Sequence, residues 1–126
     1  MRPPPPPPPD DDDSKLGDWL DAWEKTVAQV VQGYGLTLDD WLNDMDVRQA
    51  IEESLPVAPL PVRTAVRERL GPLDETFLHA TEPNKKCVWG TRNARLERWN
   101  AKRHWWYFRR PLRAAPELLA EIAAIR

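Results

Sequence analysis

A chain of 126 residues with a formal net charge of -2 has room for one small domain and is too short for a two-domain enzyme. Its hydrophobic content of 41% includes seven Trp, enough large rings to build a packed core, while no apolar run approaches the roughly 20 residues that span a bilayer. The lone Cys87 excludes an internal disulfide, and the opening MRPPPPPPPDDDD lacks the apolar stretch of a signal peptide, so composition predicts a soluble, cytoplasmic protein with no membrane partner.

Residues 3 to 9 are all proline, which fixes φ and removes the amide donor, so they predict a polyproline II arm of about 22 Å at ~3.1 Å per residue. Asp10 to Asp13 add repelling like charges, and residues 1–13 together are expected to be a disordered arm ahead of a single globular domain over 14–126. From Ser14 or Asp18 to Gln32, the residues Leu16, Trp19, Leu20, Trp23, Val27, Val30 and Val31 recur at spacings of three and four, which predicts an amphipathic helix stopped by Gly33 and Gly35. Thr37 is placed to cap the next helix, with Asp40 as its reciprocal partner. The apolar stripe of that helix slips phase near Met45, predicting a kink or restart at Asp46.

The connector LPVAPLP is expected to be extended. Pro61 suits the first turn of a third helix that Gly71-Pro72 closes, opening a fourth. Cys87-Val88-Trp89 and His104 to Phe108 have the β-branched and aromatic character of strands, which predicts a small antiparallel β-hairpin near 86–109 with an undecided stretch over 93–103. Pro116 opens a last helix that turns Leu118, Leu119, Ile122 and Ile125 to one side. The expected class is α+β, mainly α, with four to five short helices.

Catalytic chemistry finds little footing. The serines, Ser14 and Ser54, lie beside the acidic tail and at a helix end, and Cys87 with His79 or His104 reads as a small strand residue with two scattered histidines. Zinc lacks a fourth ligand at patterned spacing, and the acids Asp39, Asp40, Asp44 and Asp46 read as dipole-compatible charges at the start of a solvated helix. The five glycines are isolated, so no phosphate loop exists. The sequence predicts a non-enzymatic protein with no cofactor and no metal.

Charge, by contrast, is strongly polarised. Met1 to Ser54 carries thirteen Asp/Glu and four Lys/Arg, net -9, whereas Leu55 to Arg126 carries seven and fourteen, net +7. Within the second part, Lys85 to Arg113 holds ten Lys/Arg against Glu97 and six of the chain's eleven aromatics. Lys85, Lys86, Arg92, Arg95, Arg98, Lys102, Arg103, Arg109 and Arg110 are the expected phosphate-tracking or partner-binding residues, with Trp99 and Trp106 among the rings available to stack on bases. Strand alternation over 104–108 would send half of the rings into the core. The expected partner is an acidic macromolecule. A nucleic acid is one reading, which makes the chain a nucleic-acid-associated or regulatory protein; the alternative is a protein-interaction module of immunity, antitoxin or adaptor type, and the acidic partner then includes a second copy of this chain in a homodimer.

Overall fold

A computed structural model describes residues 13–126 and has five α-helices and one two-stranded antiparallel sheet, a mainly α member of the α+β class. The polyproline and acidic arm lies outside the described residues apart from Asp13, where the first helix begins.

Helix α1, Asp13–Gln32, follows the predicted stripe except at its last member: Leu16, Leu20, Trp23, Val27 and Val30 are buried and Trp19 half-buried, whereas Val31 is exposed. Gly33, at φ 122, ends it in a conformation that suits a residue without a Cβ, and the next amide, on Tyr34, donates to the Arg113 carbonyl at 2.8 Å. Helix α2, Leu38–Ser54, opens on the expected capping box: the Thr37 hydroxyl accepts from the Asp40 amide at 3.3 Å, and the Asp40 carboxylate accepts from the Thr37 amide at 3.1 Å.

No break occurs at Asp46. Helix α2 packs against α1 and also against the C-terminal part of the chain, so Asp46, Arg48 and Gln49 are buried beside Met45, Ala50 and Ile51. Polar residues occupy core-facing positions, and the phase slip in the apolar stripe reflects that burial instead of an end of the helix.

After a 3-10 turn at Leu55–Val57, helix α3 spans Leu60–His79 without interruption at Gly71-Pro72. A proline disfavours helical conformation in the preceding residue partly through that residue's Cβ, and glycine has none. Both residues are exposed, so the carbonyl that loses its intrahelical donor can be solvated. The expected fourth helix is therefore the second half of α3.

The strands fall outside the segments that look most strand-like. Strand β1, Thr81–Pro83, pairs with β2, Arg109–Pro111, in the register Thr81 to Pro111, Glu82 to Arg110 and Pro83 to Arg109. Between them lie helix α4, Thr91–Glu97, and a 3-10 turn at Trp105–Phe108. The turn replaces the expected strand for a packing reason. Its threefold period sends consecutive side chains in three directions, so Trp106 and Tyr107 can both be buried, at 1% and 0% exposure, which alternation on a strand would forbid. Trp105 packs on Phe77, Trp106 lies under the Arg48 guanidinium, and Tyr107 stacks on Trp99. Helix α5, Pro116–Ala123, closes the core with Leu118 and Ile122.

The core joins these elements around Trp23, Trp41, Tyr34, Phe77, Trp106 and Tyr107. Each buried indole is worth about 4 to 6 kcal/mol of transfer free energy as an upper bound. Two charged groups sit among the rings. Arg48, 4% exposed, forks onto Asp74 at 3.0 and 2.8 Å, reaches Glu52 at 3.0 Å, and lies 4.6 Å from the Trp106 ring centroid. Asp46, 5% exposed, accepts from the Tyr107 hydroxyl at 2.5 Å and the Trp89 indole N–H at 3.1 Å.

Candidate functional site

The basic segment divides into residues that line a cleft and residues that hold the fold together. The cleft, about 530 Å³, lies between the bend at Lys85-Lys86 and one face of α4. Each wall has a local cause. Asn84 is buried, and its side-chain amide donates to the Lys86 carbonyl at 2.7 Å, a side-chain-to-backbone link that curls the chain and turns both lysines outward. Its backbone amide donates to the Phe108 carbonyl at 2.8 Å, which fixes this bend against the 3-10 turn.

The opposite wall is α4. It starts after Gly90, at φ 93, where an added Cβ would meet the Arg126 carbonyl oxygen at 2.9 Å; that same oxygen accepts from the Thr91 amide at 2.9 Å. Spacings of three and four then put Thr91, Ala94, Arg95 and Arg98 on the side that lines the cleft. Arg98 ends the helix in the left-handed region, at φ 60, and the reversal carries Trp99 inward, where its ring stacks on Tyr107 with centroids 4.0 Å apart.

Lys85, Lys86, Arg95 and Arg98 are therefore brought together around one depression, and none of the described residues lining it is acidic. Its floor is apolar: the buried Cys87 and Trp99 with the half-buried Ala94 and Phe108. Cations on the walls over an apolar floor suit an anion that carries a flat or hydrophobic body. A smaller depression of about 220 Å³, bordered by Arg110 and Ile122, lies on the other side of the same lysine bend.

The remaining predicted residues separate. Arg92 is exposed on α4 but does not line the cleft, and neither do the exposed Lys102 and Arg103. The bend that carries Lys102 and Arg103 is pinned by Asn100, whose side-chain oxygen accepts both of their amides, at 3.1 and 2.9 Å. His104 closes that bend by accepting from the Asn100 amide through Nδ1, and burial followed by the neighbouring Arg103 charge pushes its pKa below the ordinary histidine value, in keeping with a neutral ring.

Arg109 and Arg110, expected to contact phosphates, are occupied with the fold. The Arg109 guanidinium donates to the Leu78 carbonyl at 3.0 Å and to the carbonyl and hydroxyl of Thr81 at 2.9 and 3.0 Å, satisfying acceptors at the end of α3. Arg110 bonds Glu82 at 2.6 Å and Asn84 at 3.2 Å across the sheet. Trp99 and Trp106, expected among the stacking rings, are core residues at 7% and 1% exposure. The half-buried Phe108 supplies the cleft's ring instead.

Two determinants escaped the sequence reading. Asn84 carries no local mark of its role, which depends on Phe108, distant in sequence. Asp46 was assigned to a solvated helix face. Its odd position inside an otherwise apolar stripe was the available signal.

Among the described residues no cluster of His, Cys, Asp and Glu could hold a metal ion, and no helix is long and apolar enough to cross a membrane. Comparison with protein-family models, with curated proteins and with solved structures gives no match to this chain.

Proposed function

We propose that this protein is a small, non-enzymatic, nucleic-acid-associated binding or regulatory protein of the cytoplasm that holds phosphates in the cleft between Lys85-Lys86 and α4. The observation that carries the reading is the convergence of Lys85, Lys86, Arg95 and Arg98 on one apolar-floored depression. Four cations within one cleft raise the local concentration of a polyanion and release its counterions on contact. Binding is favoured over catalysis because the buried Asp46, Arg48 and Tyr107 are engaged with one another, with the half-buried Asp74 or with indoles.

Gel shifts at two salt concentrations test this. Affinity should fall with salt, and Arg95→Gln and Lys86→Gln should each flatten the dependence of log K on log salt by about 0.7 to 0.9. Arg69→Gln, on α3 and paired with Asp21 and Glu24 away from the cleft, should leave that slope unchanged. Binding that is absent, or that does not respond to salt, rejects the reading.

One observation favours a second reading. Leu96 is 72% exposed on α4 one helical turn from Arg92, an apolar centre beside arginine of the kind that anchors protein interfaces. An acidic protein, or the net -9 N-terminal part of a second copy, would then be the partner. Leu96→Ser should abolish such an association, read by sedimentation, while phosphate binding persists.

A further inference from the structure

We infer that the cleft seats an unpaired nucleotide of a single strand, its base laid against Phe108 and its flanking phosphates held by Lys85, Lys86, Arg95 and Arg98; this rests on the nucleic-acid reading above and narrows it. Shape is the first argument. A duplex offers its phosphates on a convex surface and keeps its bases stacked inside, so proteins read it with elements that protrude into a groove about 12 Å wide. Here the cations line the walls of a hollow. With its bases stacked inside, a duplex has no free base face to lay on the apolar lining. The depression, about 530 Å³, is open to solvent on its outer side, as a site that receives one nucleotide of a continuing strand must be.

The floor gives the second argument. An apolar base with Cys87, Ala94 and a half-buried phenyl ring does nothing for a bare phosphate, whereas any nucleobase has a π-face that can cover it. The backbone that carries the ring is also joined directly to the bend that carries the lysines. The Asn84 amide joins the lysine bend to the Phe108 carbonyl at 2.8 Å, and the Asn84 side chain holds Lys86 at 2.7 Å. Behind them, the Trp99–Tyr107 stack backs the floor. Stacking and phosphate contact can then form side by side on one preformed backbone frame.

The test uses the full chain and fluorescence anisotropy with four labelled ligands: a short DNA single strand, the same strand in RNA, the matching duplex, and a strand of equal length with abasic sites. At least one base-bearing single strand should bind roughly fivefold or more tighter than the abasic strand and the duplex, the effect of stacking a single base. Phe108→Leu, which keeps an apolar side chain of similar reach, should erase that advantage and leave duplex and abasic affinities unchanged. Equal affinity for base-bearing, abasic and duplex ligands overturns the inference while leaving the phosphate reading intact. No salt-sensitive binding of any ligand overturns both. Should Phe108→Leu fail to melt as a folded protein, the wild-type comparison of base-bearing with abasic strands decides alone.

Discussion

Residues 13–79 form three helices whose apolar stripes bury one another, whereas residues 84–108 contain one short helix with no buried side chain and still follow a fixed path. The helical part is specified by periodicity and caps. The second part is held by polar anchors that reach back into the first: Tyr107 and Trp89 bond Asp46, and the Arg48 guanidinium lies over Trp105 and Trp106, while the Asn84 amide ties the second part to itself at Phe108. The acidic and basic parts of the chain thus meet inside the molecule at a few bonds of defined geometry. A cleft with one irregular wall and one short helix can keep its shape when the segment that carries it is anchored on buried charges.

The largest disturbance of this arrangement should come from Asp46→Ala, which leaves the Tyr107 hydroxyl and Trp89 indole N–H without that acceptor in the interior. At about 1.5 to 3 kcal/mol for each hydrogen bond to a charged group, the loss should be about 4 kcal/mol in urea denaturation, with amide exchange rising first over residues 87–107. Asp46→Asn, which keeps an acceptor oxygen, should lose less. Equal midpoints for the wild type and Asp46→Ala would show that the anchor is dispensable.

Gly90→Ala is expected to cost about 1 to 2 kcal/mol, because the residue has φ 93 and its new Cβ would crowd the Arg126 carbonyl oxygen, now 2.9 Å away. Since Gly90 sets where α4 begins, polyanion affinity should fall along with the melting temperature. Thr37→Ala is the control on the helical side. Loss of its cap should cost about 1 kcal/mol while leaving cleft binding at wild-type strength. A Thr37→Ala protein that lost binding as Gly90→Ala does would erase the distinction between the two regions.

Legibility in the sequence follows the same division. Helices α1, α2 and α5 could be read because periodicity, the Thr37 cap and Pro116 are local signals. The unbroken course of α3 was hidden because Gly71-Pro72 is a stop signal by composition and a tolerated exposed step in context. The aromatic run at 105–108 resembled a strand, yet three neighbouring rings needed three directions, a demand set by Phe77, Arg48 and Trp99 far away in the chain. Within the site, Lys85, Lys86, Arg95 and Arg98 were visible as charge. The commitment of Arg110 was not, because its partner Glu82 lies 28 positions earlier and pairs with it only once the sheet forms.

Arg98 carries a consequence of its own. A side chain at φ 60 is held where glycine would rest more easily, at a cost of about 1 kcal/mol. Stability and charge therefore pull in opposite directions at this position: Arg98→Gly should melt higher than the wild type and bind polyanions more weakly. One substitution would then separate what the fold prefers from what the cleft requires.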